Sequence, residues 1–340
     1  MKKTNSMYIK ILIGMMLILC LSCDTTKPDK TQVFNVSDRD DWNNAINHIK
    51  ANGDDKAYII NIQNSFEILP EQSYSDFSTF GIVQNITIDI MGNQSQHILT
   101  ECPRIVIGAR QDVNIINITL KGITLNILEG GRCSLYGNTL LTDNDYPAVE
   151  VSRYGRFYMY DNSKISNTVS SAAVVNRGDF YLQGNSSICD NEGWAVVISI
   201  GTFYMKENSS ISRNKNGISI SNGTFIMEDG SISENNSTSP SSCIVSISSG
   251  HFIMLGGSIH KNDMAFTIYM IGGLLTMSGG IVYGNLESGA PEDLANSSHQ
   301  GWTTLRTNYP NEVKYGDGTN ILPHIDGYIY GTNHTIVGRR

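Results

Sequence analysis

Charge is scarce in this chain: 16% of its 340 residues are Asp, Glu, Lys or Arg, and their balance is acidic at −8. Nucleic acid and anionic lipid surfaces need clustered Lys and Arg, so this composition excludes nucleic acid as a partner. Proline is thin at 8 residues, and no repeat described below carries a helical apolar period, which excludes a helical array. Cysteine is sparse too. Apart from Cys20 and Cys23, the thiols at Cys102, Cys133, Cys189 and Cys243 form no C-x-x-C pair and take different places in the repeat. Neither a zinc site nor a disulfide ladder is indicated, and they read as small apolar side chains. The seven His show no metal-ligand spacing, so neither a metal nor another cofactor is expected.

Glycine is by contrast plentiful at 32 residues, and seven glycines open one recurring phrase. Its clearest copies run from Gly201 through Phe203, Met205 and Ile211 to Asn214, and from Gly223 through Phe225, Met227 and Ile232 to Asn235. With weaker copies at Gly131, Gly155, Gly178, Gly250 and Gly273, the successive intervals are 24, 23, 23, 22, 27 and 23 residues. Periods of this size belong to solenoid coils and override the two-domain count that the length alone suggests.

Each copy contains three segments of alternating apolar residues. The first sets apolar residues five and three positions before the glycine, as Val196 and Ile198 stand before Gly201. The second gives Phe157, Phe180, Phe203, Phe225, Phe252 and Leu275, each followed two residues on by Met159, Leu182, Met205, Met227, Met254 and Met277. The third centres on Ile165, Ile188, Ile211, Ile232, Ile259 and Ile281. A period of two sends one set of side chains inward, so three short strands per coil are predicted, stacked in parallel around ladders of like side chains. The glycine is expected where a side chain would obstruct the bend or need positive φ. Asn191, Asn214, Asn235 and Asn262, three residues after their Ile, are expected to hydrogen-bond along the axis as a corner ladder.

This phrase, Gly-x-Phe-x-Met followed by Ile and Asn, resembles the repeats of right-handed parallel β-helix proteins of the pectate-lyase-like superfamily. The resemblance runs from Val83 to Asn285 and is nearest to the bacterial surface-lipoprotein and adhesin-like branch. It implies an all-β, right-handed parallel β-helix spanning 33–285, acting as a non-catalytic binding, adhesion or structural module. Its alternative is a polysaccharide-degrading enzyme, a lyase or glycoside hydrolase. A leucine-rich repeat has a similar period, but its L-x-x-L-x-L-x-x-N phrase is absent. Outside the repeats, Trp42, Ala45, Ile46 and Ile49 share one helical face and are expected to cap the first coil. Residues 286–340, with turn signals such as Asp317-Gly318, are expected to form an irregular β cap.

At the N-terminus, Lys2, Lys3 and Lys10 accompany an apolar run from Ile11 to Leu21, too short for a membrane span and ordered as an export signal. Its end, Leu21-Ser22-Cys23, resembles a bacterial lipoprotein signal. That implies removal of residues 1–22, lipidation of Cys23 with palmitate among the acyl groups, and residues 23–32 as a tether. The protein would then sit in the cell envelope, at the outer membrane or cell surface, with the membrane as partner through its lipid anchor. Ordinary secretory cleavage nearby competes, because Cys20 stands where such signals usually have Leu. Loss of residues 1–22 removes three lysines and takes the net charge from −8 to about −11.

Candidate sites follow from the outward positions of the second strand. Tyr158, Tyr181, Tyr204, Ile226 and Ile253 form a stripe that reads as a docking face for a glycan or protein ligand, or for another copy of the protein, since monomers usually avoid contiguous exposed apolar surface. The best carboxylate cluster is Glu207 and Asp229, which fall on adjacent coils and would lie about 5 Å apart, a spacing suited to acid/base work. Flanked by Lys206 and Glu228, they read as a solvated turn, so no catalytic residue is assigned. His251 reads as a polar surface residue of the sheet. The interval of 27 residues that holds Asn236 to Ser242 must bulge by about four residues.

Overall fold

The alternating segments are strands in the computed structural model, and each lies beside its counterpart one coil away. The structure describes residues 31–68, 78–92, 97–100, 104–239, 242–277, 279–283 and 285, with short strands at 303–307, 313–315, 329–330 and 335–338. The strands form three sheets of 12, 10 and 11 members. Sheet A collects the Gly-x-Phe-x-Met segments, such as Thr202–Met205; sheet B the Ile segments, such as Ser210–Ser212; sheet C the segments before the glycine, such as Trp194–Ile198. The chain is an all-β parallel solenoid of about 10 turns, with coils of about 23 residues and very little helix.

Register follows the repeat. Phe157, Phe180, Phe203, Phe225, Phe252 and Leu275 pair in sequence across sheet A, each buried, with neighbouring Phe rings stacked 4.7 to 5.1 Å apart. Burying a side chain of this size is worth about 1.5–3 kcal/mol, and because each coil repeats the gain, the core runs the length of the stack. Cys133 is the small first member of the Phe column, opposite Phe157, while Cys243 is buried in a separate cluster with Ala265 and Phe266. Cys102 lies outside the described residues.

The asparagine corner is a continuous ladder. Asn191, Asn214, Asn235 and Asn262 are buried, and each Nδ2 donates to the next Oδ1 at 2.8, 3.0, 2.8 and 2.9 Å, ending on Asn285. Each backbone N–H also donates to that same oxygen, so a polar chain runs satisfied through the interior.

One expectation needs correction, and another is narrowed to one of its two alternatives. In the last Ile-centred segment the ladder position belongs to Val282, which pairs with Ile259, while Ile281 pairs with the outward Ser258. The repeat glycines are needed for close approach more than for φ, since among the seven only Gly273 has positive φ. A Cβ at Gly178 or Gly201 would overlap the carbonyl oxygen of the glycine one coil earlier, Gly155 or Gly178.

The solenoid also begins before the phrase does. Strands Gln32–Val36, Ala57–Ile62, Ile86–Gly92 and Gln111–Ile116 precede the Gly131 copy in sheet A. A helix spans Arg39–Asn52, started by Asp38, whose carboxylate accepts from the Asp41 N–H at 2.9 Å, and favoured by Asp40 and Asp41 at its positive end. Its face of Trp42, Ala45, Ile46 and Ile49 is buried. The 27-residue coil has its longer connection between Ser231–Ser233 and Cys243–Ile247, and Cys243, Ala265 and Phe266 form a second buried cluster with Trp194 and Tyr269 against it. All of 1–30, with the signal and Cys23, lies outside the described residues, as does the expected β cap of 286–340 apart from its four short strands.

Candidate functional site

The outer face of sheet A carries the predicted stripe. Alternation along each strand turns every second residue outward, and parallel register aligns those residues coil after coil. The central column reads Ser134, Tyr158, Tyr181, Tyr204, Ile226, Ile253 and Thr276. The sequence-predicted five therefore stand in one unbroken row.

Their rings are stacked. Tyr158 and Tyr181 lie 4.7 Å apart and 6° from parallel, and Tyr181 and Tyr204 lie 4.6 Å apart at 2°. Tyr160 continues the array 5.9 Å from Tyr158, and Tyr136 stacks on Tyr160 at 4.8 Å. A cation flanks each end of the central three, with the Arg132 guanidinium 4.6 Å from the Tyr158 centroid and the Lys206 Nζ 5.4 Å from that of Tyr204. Because each ring covers the next, a ligand meets ring edges and phenol groups rather than open ring faces. Burial, reinforced by Asp179 and the adjoining phenols, pushes the Tyr181 hydroxyl up to about 12.

Toward the N-terminus the same face turns polar. Asp112 and Arg132 pair at 3.6 Å, and Asp89 accepts from the Asn114 side chain at 2.7 Å. Burial raises the Asp112 carboxyl against the opposing pull of Arg132, with a smaller push from Asp89. The fully buried Ser134 hydroxyl, the Arg132 Nε and the Asp112 Oδ1 have no hydrogen-bond partner within the protein. Sequence reasoning missed this half of the face, along with Tyr136 and Tyr160. The signal was present, since Ile86-Thr-Ile-Asp89-Ile and Asp112-Val-Asn114-Ile alternate as the later copies do.

The two carboxylates weighed for catalysis are occupied in their turns. Glu207, at φ 57°, reaches back to the preceding coil, where it accepts from the Gly184 N–H at 2.6 Å. Asp229 accepts from its own neighbour Gly230 at 2.8 Å, and the flanking Lys206 and Glu228 pair at 2.9 Å. Glu207 thus bonds on the side away from Asp229's coil, and no bond joins the two. His251 shares a 2.8 Å hydrogen bond with Thr276 Oγ1, and burial lowers its pKa. Among the described residues, no group of three or more His, Cys, Asp and Glu is placed to hold a metal ion. In comparisons with known proteins, no family model, no curated protein and no solved structure matches this chain.

Proposed function

We propose that this protein is a non-catalytic binding module of the bacterial cell envelope, tethered by lipid on Cys23, with the outer face of sheet A as its docking surface. The observation that carries the docking face is the array of five stacked tyrosines, flanked by Arg132 and Lys206. Stacked rings are rigid, lose little entropy on binding and offer a polar tip on an apolar body, which suits a glycan or protein ligand. In this reading the coils wind right-handed, the 39–52 helix shields the first coil, and residues 286–340 close the other end. The test replaces Tyr158, Tyr181 and Tyr204 together by Ser and measures binding to glycan arrays and to cells. Loss of binding in a variant with unchanged circular dichroism supports the face; unchanged binding removes it. For the tether, Cys23→Ala is expected to release the protein from membranes or leave it unprocessed, and an unacylated mature N-terminus elsewhere would end that part of the reading.

A second reading, a polysaccharide-degrading enzyme, draws on Asp112, whose carboxyl is raised by burial beside Asp89 and Arg132. Such a carboxyl has the character of a general acid. Turnover of a polysaccharide that Asp112→Asn abolishes would favour it; binding without turnover leaves the module.

A further inference from the structure

The central column of sheet A is self-complementary. Its six large or medium side chains from Tyr158 to Thr276 divide into a tyrosine half, Tyr158, Tyr181 and Tyr204, and a shorter half, Ile226, Ile253 and Thr276. A two-fold axis laid between two such faces, parallel to the strands and midway between Tyr204 and Ile226, turns each half onto the other. Tyr204 then meets Ile226 of the second copy, and Tyr181 meets Ile253. Facing sheets pack about 10 Å apart, a gap that a long side chain opposite a short one fills evenly, whereas two tyrosines overfill it.

The flanking columns agree with the same axis. One residue past Met205 and Met227 stand Lys206 and Glu228, which pair at 2.9 Å within each chain and which the axis sets opposite their counterparts, so two copies bring two such pairs together, cation facing anion. On the other flank, Asp179 meets His251, and Thr202 meets Thr224, because these residues head the strands whose stripe residues are paired. Moving the axis one coil toward the N-terminus stacks Tyr181 on Tyr204 and sets Glu228 against Tyr160, so both the size match and the charge match are lost. Every two-fold axis makes residue i meet j while j meets i; this placement is singled out by the size match along the stripe and by Lys206 facing Glu228, and farther out it sets Arg156 against Leu274.

We infer that a second copy of this chain docks on the outer face of sheet A, with the two solenoids antiparallel and the tyrosine half of each stripe seated on the isoleucine half of the other. This rests on the reading of sheet A as a docking surface and names its occupant. The side chains keep a repeat of 4.6 to 4.7 Å along the tyrosines, and a second copy carries the same repeat. Pairing the halves sets an aromatic side chain on a β-branched one at each step, so the two faces interdigitate as facing sheets do.

The experiment uses the full-length protein in detergent, with mass followed by sedimentation equilibrium across concentration. Tyr204→Lys and Ile226→Asp are each expected to weaken self-association about tenfold or more, since each puts one unpaired charge against an apolar side chain twice per dimer. An equimolar mixture of the two variants should recover association. The new lysine of one chain faces the new carboxylate of the other, while the reciprocal contact is native. Thermal melts of each variant keep folding separate from association. A chain that is monomeric at every concentration overturns the inference, as does a dimer indifferent to both variants or a mixture that fails to recover. A monomer whose glycan or cell binding is still lost in the triple tyrosine variant leaves the docking face standing without this occupant. A dimer that behaves as stated, with that binding unaffected by the triple variant, removes the foreign-ligand reading and keeps this one.

Discussion

Removing one rung of the asparagine ladder tests the interior most directly. The Asn214 Oδ1 accepts from the Asn191 N–H at 3.2 Å and the Asn191 Nδ2 at 2.8 Å; its own Nδ2 donates to Asn235 Oδ1 at 3.0 Å and to the Ile188 carbonyl at 3.1 Å. Asn214→Ala leaves two donors of Asn191 buried and unpaired, each costing about 1–3 kcal/mol, and strips an acceptor bond from Ile188. Partial relaxation of the corner reduces that sum, so a loss of about 3 kcal/mol is expected. Asn185→Ala is the control: that side chain is exposed, makes a single 3.4 Å bond to Asn162 and should cost under about 0.5 kcal/mol. Urea midpoints measure both. Solenoid stability is carried by nearest-neighbour junctions, so hydrogen exchange should rise most in Ser187–Cys189 and Ser210–Ser212, and little in Ala57–Ile62. Equal midpoints for the two variants, or a uniform rise in exchange, would refute an energetically important ladder.

Thr168 occupies the rung position before Asn191, where its N–H already donates to Asn191 Oδ1 at 2.9 Å while its buried hydroxyl has no protein partner. Thr168→Asn should therefore extend the ladder and raise stability by about 1 kcal/mol in urea melts; a lower midpoint would count against the register. Gly201→Ala should lose about 2–3 kcal/mol, because its Cβ overlaps the Gly178 carbonyl oxygen, whereas Gly155→Ala, whose nearest contact is 3.0 Å, should lose less in the same assay. Met205→Asp buries an unpaired carboxylate and should cost several kcal/mol, against under about 1 for Tyr204→Ser, as read from thermal and denaturant midpoints. Asp190 is held below the ordinary carboxylate range chiefly by its bond from Arg213, at 2.7 Å. A depressed folded pKa gives stability that is present above the unfolded value and lost as pH falls through the folded one. Asp190→Asn should thus flatten the decline in stability below about pH 4 and leave it unaltered if the pair is inert.

The interior was legible because every coil meets the same demand. Phe203 and Phe225 face identical surroundings 22 residues apart, so burial enforces the same residue and the repeat shows on the page. Where two apolar residues adjoin, that demand is ambiguous. Ile281 and Val282 both fit the phrase, and only the spacing to Asn285, three residues after Val282 as Asn262 follows Ile259, holds the register. The early coils were legible as less regular ones from alternation alone: strands such as Ile86–Gly92 alternate correctly but lack the glycine that opens the later copies. The site was half legible. Tyr158, Tyr181 and Tyr204 lie in the middle of a regular phrase, while Tyr136 and Tyr160 fall at strand ends, where alternation no longer reports direction. The contact of Arg132 with Tyr158 crosses a coil and joins residues far apart in sequence, so no local pattern announces it.

Whether the stripe is more than decoration can be argued within the molecule itself. Tyr and Ile are good strand formers, so an outer face could carry them for folding alone. Sheet B is the comparison, built on the same coils with the same parallel pairing. Between Lys164 and Ile281 its outward column runs Ser187, Ser210, Ser231 and Ser258 in register, so four successive strands of this solenoid pair with nothing larger than serine at that position. The fold therefore does not require tyrosine on the outside of sheet A. Replacing Tyr158, Tyr181 and Tyr204 by Ser gives sheet A the outer surface that sheet B already has, which is why that variant should fold and why any binding it loses belongs to the rings.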